Sequence, residues 1–476
     1  MNRTHAPLLL AVFVLGLALA GCDALDIDDV QDPNGPSLSD ILENPTRDKL
    51  ANLAVGIEAG TRTDLSLYLI NVGVVGREYY RFSNSDPRFV TELLGKEDFQ
   101  LDNNTFYIAR PWAARYSAIR NAYVLAQASQ DFALYSEAER AAAQGYAQTW
   151  IAYQLLLNLN LTYNNGVRTD IADLDDLGPI VSPYDAAIAN IAAILDEGAA
   201  SLAAAGDAEL PFSTTVDNVG SISLDTASEF RQFNRALAAR IAAYRGDFGS
   251  IPGLLAESFF DADGDLFTGA YHVYSTGAGD LGNLMFYPVD ASAGEIIAGH
   301  PSFVTDADPE DQRVFGADPK VALHLNSEGE PTAVSLDGLT SAYTFVRYES
   351  ISAPIPIIRN AELILLQAEA FAQTGNLGGA VEAINVIRRA AGLDDFGTDA
   401  EDDDATLGGV LAEILRQRRY ELYGEGHRWV DVRRYNNADC DPTLLDGGGC
   451  LNDDFPIDRE GDDVWLQFPI PFAENV

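Results

Sequence analysis

The most informative stretch of this chain is Arg416-Gln-Arg-Arg-Tyr-Glu-Leu-Tyr-Gly-Glu-Gly-His-Arg-Trp-Val-Asp-Val-Arg-Arg-Tyr435. Its apolar residues fall near helical spacing, so one face of a helix can be buried while the arginines occupy the rest. Glu425, Arg428, Asp431 and Arg434 follow one another three residues apart, which places opposite charges on adjacent turns. Exposed pairs of this kind contribute only about 0.2–0.5 kcal/mol each. We therefore predict a salt-bridged structural helix without a catalytic role.

Length and hydrophobicity indicate a globular protein. At 476 residues the chain could fill about three average domains, although helical-repeat proteins spread one core over such lengths. With 47% hydrophobic residues it can bury a sizeable core, which excludes wholesale disorder. Beyond the leader no apolar run approaches the ~20 residues that a membrane-spanning helix needs. We expect the mature chain to be soluble.

The charge is strongly acidic. Acidic residues outnumber basic ones 72 to 30, a net charge of −42, and Lys49, Lys96 and Lys320 are the only lysines. Because a surface that binds phosphate backbones must be basic, nucleic acid is not an expected partner. Acid spread along a chain with almost no lysine favours a protein adapted to high salt, where screening removes self-repulsion. The alternative is an ordinary acidic secreted protein.

The N-terminus has the features of an export signal. Residues 8–20 form an apolar run behind Arg3 that is too short to span a membrane. The run ends in Leu19-Ala20-Gly21-Cys22, which resembles the bacterial lipobox, in which the cysteine is acylated and becomes the first mature residue. We interpret residues 1–21 as a lipoprotein signal peptide, Cys22 as the lipidation site and residues 22–46 as an acidic tether.

Helical patterns dominate residues 47–260 and return after residue 354. The predicted helix pairs are 137–161 with 184–205, 227–244 with 251–258, and the two halves of 361–389. In the last pair small and large residues alternate around a Gly375-Asn376 turn, which matches the residue sizes of a tetratricopeptide hairpin. Three such hairpins are enough to stack into a solenoid. The predicted fold class is all-α, with tetratricopeptide-like helical hairpins.

Residues 261–353 have a different composition. They are rich in Gly, Asp, Pro, Tyr and Phe and show little helical period, so we predict a loop-rich insertion with short strands. Asp261, Asp263 and Asp265 alternate beside a turn glycine and could bind Ca²⁺, although the glycine and glutamate positions of an EF-hand are not present. An acidic turn in an acidic protein is the simpler interpretation. No other cofactor is expected.

Two aromatic segments are candidates for ligand binding. A sugar site needs aromatic faces against the apolar face of a pyranose and planar polar groups for its hydroxyls. The candidates are Tyr79, Tyr80, Arg81, Phe82 and Asn84 in one segment, and Tyr271, His272, Tyr274, Asn283, Phe286 and Tyr287 in the other. We predict that both segments are loops on one face, remote from Arg416–Tyr435, with burial in the core as the alternative for each ring.

Catalytic motifs are absent from the sequence. It contains no Gly-x-Ser-x-Gly elbow, His-Glu-x-x-His pair or phosphate-binding loop. A carboxylate pair could serve a glycosidase, but spacing along the chain cannot place two carboxylates at the required separation. We predict that the protein is not an enzyme, with an exported hydrolase as an alternative.

Two cysteines remain, Cys440 and Cys450, on either side of a Gly-rich loop. In an oxidising exported compartment such neighbours indicate a disulfide, which would contribute about 2–3 kcal/mol. Two sulfurs without a histidine at ligand spacing make a poor zinc site.

The central stretch also resembles a known family. Arg418-Arg-x-Glu-Leu422 followed by Gly424-Glu-Gly-His-Arg-Trp-x-Asp-x-Arg-Arg434 is similar to the C-terminal signature of the RagB/SusD family. The segment Pro356–Ala370 resembles the family's second signature, an arginine-led helix with paired glutamates, and Phe468–Asn475 resembles its closing segment. Residues 354–476 are accordingly interpreted as the signature region. The acidity and the middle insertion depart from the family pattern and leave the ligand open.

The resemblance implies a function. Members are lipid-anchored, surface-exposed outer-membrane proteins that capture oligosaccharides, or in some cases peptides, for a TonB-dependent SusC-like transporter. The acidic residues directly after Cys22 resemble the surface-export signals of such lipoproteins. The alternative is a lipid-anchored tetratricopeptide scaffold that binds a protein partner.

Overall fold

The computed structural model describes residues 38–171, 177–219, 222–397, 405–435 and 456–475. The predicted signal peptide, Cys22, Cys440 and Cys450 lie outside these ranges. The helices are α1 Leu38–Glu43, α2 Arg47–Arg62, α3 Leu65–Val75, α4 Phe106–Gln130, α5 Glu137–Thr162, α6 Tyr184–Ala205, α7 Ala227–Tyr244, α8 Ile251–Ala256, α9 Pro301–Thr305, α10 Gln312–Phe315, α11 Asn360–Gln373, α12 Leu377–Ala390, α13 Leu407–Glu421 and α14 Arg428–Arg434.

The predicted helical hairpins are confirmed. Helix α5 packs on α6, α7 on α8, and α11 on α12, while α6–α7 and α7–α11 contacts join the pairs into one stack. Their ends follow ordinary capping chemistry: Ser136 and Glu139 form a capping box at α5, and Thr226 and Glu229 form another at α7. The turn between α11 and α12 uses Gly375 at φ 89°, a conformation that favours glycine.

Helix α6 has the length and apolar composition of a membrane-spanning helix. In the fold it lies between α5 and α7, and its buried face includes Ile188, Ile191, Leu195 and Leu202. Its hydrophobic face is therefore used for packing within the helical body.

The strands are short and largely belong to the insertion. They are β1 Tyr79–Ser83, β2 Val167–Arg168, β3 Ile180–Val181, β4 Asp217–Val219, β5 Gly269–His272, β6 Glu295–Gly299, β7 Val321–Leu323, β8 Val334–Leu336, β9 Leu339–Ser341, β10 Tyr343–Phe345 and β11 Ile355–Arg359. One antiparallel sheet has the order β1-β6-β10-β7, a second has the order β11-β5-β4, and β2–β3 and β8–β9 are hairpins. The insertion is thus anchored to the helical body by β1 on one side and β11 on the other.

The prediction that residues 79–84 form a loop is wrong. Tyr79 pairs with Gly299 and Ser83 with Glu295, so the segment is a strand whose partner lies far away in sequence. Every residue of β1 is buried. A local run of aromatic and polar residues cannot reveal such a pairing, because the partner strand supplies the backbone hydrogen bonds.

The Arg416–Tyr435 stretch is also not one helix. Helix α13 ends at Glu421 and α14 begins at Arg428, with Gly424 at φ 75° and Gly426 at φ 87° in the turn between them. A Cβ on Gly424 would lie 2.7 Å from the Phe345 ring, so the turn also requires glycine for space. Spacing alone did not reveal this break.

The charges of this stretch are buried rather than exposed. The predicted Asp431–Arg434 pair is present at 2.8 Å, and Arg418 binds Asp431 through two hydrogen bonds of 2.7 and 3.1 Å. Glu425 is bound by Arg359 of β11, with Nη2 at 2.9 Å. The stretch therefore joins the helical stack to the sheets through a buried ionic network.

The C-terminal segment, residues 456–475, returns across the N-terminal helices. Asp458 accepts a hydrogen bond from the Tyr80 hydroxyl at 2.8 Å and lies 2.6 Å from His300 Nε2. Further along, Glu474 accepts from Trp112 Nε1 at 2.9 Å. These contacts attach the C-terminal segment to β1 and to α4.

A candidate ligand-binding cleft at the insertion

A cleft of about 690 Å³ lies between the insertion and the ends of α12 and α13. We call it the insertion cleft; it is lined by residues 266–267, 271, 312–313, 317–320, 346–350, 352–354, 390–391 and 421. Its volume is within the range of small-molecule sites, about 300–1,000 Å³.

Phe267 supplies an open aromatic face at this cleft. The Asp265 carboxylate accepts a hydrogen bond from the Phe267 backbone N–H at 2.9 Å, which fixes a turn just before β5. The Phe267 ring remains 52% exposed, and the Arg359 guanidinium lies 5.6 Å from its centroid. Tyr271, on β5, donates a hydrogen bond from its hydroxyl to the Phe267 carbonyl at 2.6 Å. The turn and the strand together hold the ring outward.

The base of the cleft is cationic and ordered by the buried network. Lys320 Nζ donates to the carbonyls of Tyr420 at 2.7 Å and Glu421 at 2.5 Å. Burial lowers the pKa of Lys320 to about 7, against the opposing effect of the Glu421 carboxylate. Although burial alone would raise the pKa of Glu421, nearby Lys320, Arg359 and Arg313 hold it well below its ordinary value. The acidic partner therefore stays ionised while the lysine is easily neutralised.

One wall carries groups suited to hydroxyls. The Arg347 guanidinium binds Glu425 at 3.0 Å and lies 5.3 Å from the Tyr348 ring centroid. Glu349 is exposed, and the serines 350 and 352 lie within hydrogen-bond distance of each other at 3.2 Å. An exposed ring beside fixed polar groups can stack on the apolar face of a sugar while hydrogen bonding its rim.

Of the predicted ligand-binding residues, Tyr271 lines this cleft, and it does so with only 4% of its surface exposed. The prediction of side chains open to a ligand is wrong for Tyr79, Tyr80, Arg81, Tyr271, His272 and Tyr274, all of which are buried. His272 lies 3.3 Å from the Thr61 hydroxyl, and burial together with nearby Arg115 and Arg62 lowers its pKa to about 3. These side chains pack the junction between the helices and the sheets.

Among the predicted residues, Asn84 is exposed, and Phe286 and Tyr287 are partly buried. The Arg81 guanidinium lies 5.2 Å from the Tyr287 ring centroid and binds Glu295 at 2.5 Å, while the Asn84 backbone donates to Gly294. The two segments therefore meet where Arg81 contacts Tyr287. Their contribution to ligand binding stays a prediction.

In the acidic turn at Asp261, carboxylates accept hydrogen bonds from backbone N–H groups of the same segment. Asp261 Oδ1 accepts from the Asp263 N–H at 3.1 Å, and Asp265 serves the Phe267 turn described above. Across the described ranges, no three His, Cys, Asp or Glu side chains form a group that could hold a metal ion. Calcium binding at Asp261, Asp263 and Asp265 stays a prediction without a preformed cluster.

Sequence reasoning missed Phe267, Lys320, Arg347 and Tyr348. One signal was available, because Asp265-Leu-Phe267 places an apolar residue in an acidic turn where nothing local can cover it. The others converge only through β7, β10 and the loop after β10, whose pairing is not visible in local patterns.

Comparison with known proteins supports the fold and the signatures. Residues 326–449 match the model of the SusD family. A SusD-like protein of Formosa agariphila is 31% identical over 148 residues, covering 25% of this chain and 29% of the relative. The chain therefore aligns with less than a third of that relative's length.

Solved structures resemble the whole fold. Surface glycan-binding protein A from Bacteroides uniformis superposes with a TM-score of 0.65 at 16% identity, covering 90% of this chain and 97% of that one. A SusD superfamily protein from Parabacteroides distasonis gives 0.61 at 15% identity over 89% and 96% of the two chains. B. fragilis NanU gives 0.54 at 16% identity over 85% and 92%. The chain therefore shares the fold of these structures, and its residues 326–449 match the SusD family.

Proposed function

We propose that this protein is a lipid-anchored, surface-exposed binding protein that captures an oligosaccharide in the insertion cleft. Capture is non-covalent and is followed by transfer to a TonB-dependent SusC-like transporter of the outer membrane. The protein performs no bond chemistry of its own.

The exposed face of Phe267 beside the polar wall of the cleft is the observation that carries this proposal. Most large apolar side chains of the chain are buried, so a half-exposed phenylalanine at the mouth of a cleft offers a stacking surface that packing does not use. The structural neighbour named as a surface glycan-binding protein supports the same ligand class. The Cys22 lipobox and the acidic tether support anchoring outside the cell.

Calorimetric titration of the mature protein with a panel of neutral oligosaccharides and short peptides tests the ligand class. We expect at least one oligosaccharide to bind with micromolar to millimolar affinity, about 4–8 kcal/mol. Phe267→Ala should weaken that binding by about fivefold or more, since stacking on an aromatic ring typically contributes about 1 kcal/mol or more.

Phe99→Ala is the matched control. Phe99 is 47% exposed and lies outside the cleft, so the substitution removes a similar exposed ring without touching the site. Binding that is unchanged in Phe267→Ala, or binding of peptides alone, would contradict the proposal. Turnover of any glycan in the panel would contradict its non-catalytic part.

The anchoring is tested separately from the binding. Cys22→Ser should abolish palmitate labelling and release unprocessed or soluble protein, while the variant's purified body binds ligand normally. Labelling that persists in Cys22→Ser would overturn the lipid anchor.

A further inference from the structure

A second cleft, of about 470 Å³, lies where the ends of α5, α6 and α7 meet α14. We call it the helix-end cleft; its lining includes Tyr163, Tyr184, Asp185, Arg245, Arg433 and Tyr435. It shares no lining residue with the insertion cleft. It is thus a separate cavity, at the signature end of the helical stack.

Arg433 is held rigidly at this cleft. Its Nη1 donates to the carbonyls of Asn160 and Leu466, both at 3.0 Å. Its guanidinium lies between two rings, 4.3 Å from the centroid of Tyr163 and 4.8 Å from that of Trp429. A guanidinium fixed in this way loses little further freedom when it binds a ligand.

The same guanidinium has unused hydrogen-bonding capacity. Arg433 is 5% exposed, and its Nη2 has no hydrogen-bond partner among the described residues. No described carboxylate forms an ion pair with it, whereas its neighbour Arg434 binds both Glu369 and Asp431. In a chain with 72 acids, a buried arginine without a carboxylate is unusual and costly, because buried cations normally require a partner.

The rings around the arginine are arranged for a cyclic ligand. Tyr163 and Tyr184 contact each other with their centroids 4.7 Å apart, and Tyr163 is only partly buried. Tyr163 also adopts φ 46° and ψ −115°, a conformation that a residue with a side chain rarely takes. Strain of this kind persists where the surroundings enforce it and is concentrated at binding sites.

We propose that the helix-end cleft binds a carboxylated sugar, with the carboxylate on the Arg433 guanidinium and the ring against Tyr163. A guanidinium pairs with a carboxylate through strong, charge-assisted hydrogen bonds, and the partnerless Nη2 offers one of them without breaking an existing bond. The anionic group follows from Arg433 alone. The choice of a saccharide rests on the proposed function.

Titration with D-glucuronate and D-glucose tests the proposal, since the two monosaccharides differ only in the carboxylate. We expect the wild-type protein to bind glucuronate about tenfold or more tightly than glucose. Arg433→Gln should remove this difference. Phe99→Ala should leave it intact, because Phe99 lines neither cleft.

Two exposed rim residues locate the site even if Arg433→Gln fails to fold. Asp185→Asn should strengthen glucuronate binding and Arg245→Gln should weaken it, each by about 1.5- to 5-fold in about 0.15 M salt, as expected for exposed charges. Neither substitution should alter glucose binding.

Equal affinity of the wild type for the two sugars, or rim variants that leave glucuronate binding unchanged, would overturn the proposal. Acetate binding as tightly as glucuronate would overturn the saccharide part. Neutral oligosaccharides that bind while glucuronate does not would leave the proposed function standing and refute this inference alone. Glucuronate binding without any oligosaccharide binding would leave this inference standing and refute the proposed function.

Discussion

The signature segment and the insertion cleft both contain charged and aromatic side chains. The signature pairs its charges with one another, whereas the cleft leaves an aromatic face open. In the signature, Arg418 is buried, Arg434 is partly buried, and each binds a carboxylate at 2.7 Å. At the cleft, Phe267 keeps half of its surface open, and Lys320 is held by backbone carbonyls. A dense run of charged or aromatic residues therefore does not mark a site. A site is marked by side chains whose neighbours leave a face or a hydrogen-bonding group unused.

The largest expected effect concerns the buried network. Arg240 binds Glu362 through two hydrogen bonds of 2.6 Å, and both residues are almost fully buried. Arg240→Met leaves the buried Glu362 carboxylate without its guanidinium partner, and should lower the free energy of unfolding by about 3–5 kcal/mol. His427 lies 3.7 Å away but is neutral, because burial lowers its pKa to about 4. Urea denaturation measures this. Arg389→Met is the control: Arg389 pairs with Asp395 at the surface, where solvent screens the charges, so the substitution should cost far less. Equal losses of unfolding free energy in the two variants would show that the buried pair matters no more to stability than the exposed one.

The next effect separates buried rings from open ones. Tyr80 is 3% exposed, stacks on Phe82 and donates its hydroxyl to Asp458, so Tyr80→Ala should lower the free energy of unfolding by about 3 kcal/mol. Phe267→Ala should change it by less than about 1 kcal/mol, because the ring is already half exposed. Thermal or urea unfolding of both variants checks this. A large loss in Phe267→Ala would show that its ring belongs to the core.

The pH dependence of the free energy of unfolding tests the environment of Lys320. Burial lowers the pKa of Lys320 to about 7, from an ordinary value of 10.5. Between these values the unfolded chain binds more protons than the folded one, so this residue makes the free energy of unfolding rise with pH. From about pH 7.5 to about pH 9.5 the wild type should gain about 2–3 kcal/mol more than Lys320→Met. Identical pH profiles would mean that the amine keeps its ordinary pKa.

The smallest effect concerns the whole surface. Screening of the −42 charge should raise the melting temperature between about 0.1 M and about 2 M salt. The melting temperature of Arg240→Met should rise by a similar amount. The Glu362 carboxylate that this substitution leaves unpaired is buried, so salt screens it much less than surface charge. A flat or falling melting temperature would count against adaptation to high salt.

Local patterns predict the helical hairpins well because capping and periodicity are local properties. The Ser136 capping box and the Gly375 turn are readable from adjacent residues alone. The sheets and the site are different. Tyr79 becomes a strand residue only by pairing with Gly299. The spacing of the signature could not show that the Phe345 ring leaves no room for a Cβ at Gly424. The exposed Phe267 was detectable as an uncovered apolar residue, whereas Lys320 is carried to the cleft by a strand pairing that sequence does not reveal.

The return of residues 456–475 across the N-terminal helices has a consequence for biosynthesis. Tyr80 and Asp458 are 378 positions apart, and Trp112 and Glu474 are 362 apart. Contacts of such long range form slowly, and these must wait until nearly the whole chain has been made. Until then the Tyr80 hydroxyl, the Trp112 indole N–H and the Arg168 guanidinium lack the acceptors that they have in the finished body. The emerging chain therefore cannot complete these contacts until its C-terminal segment is available.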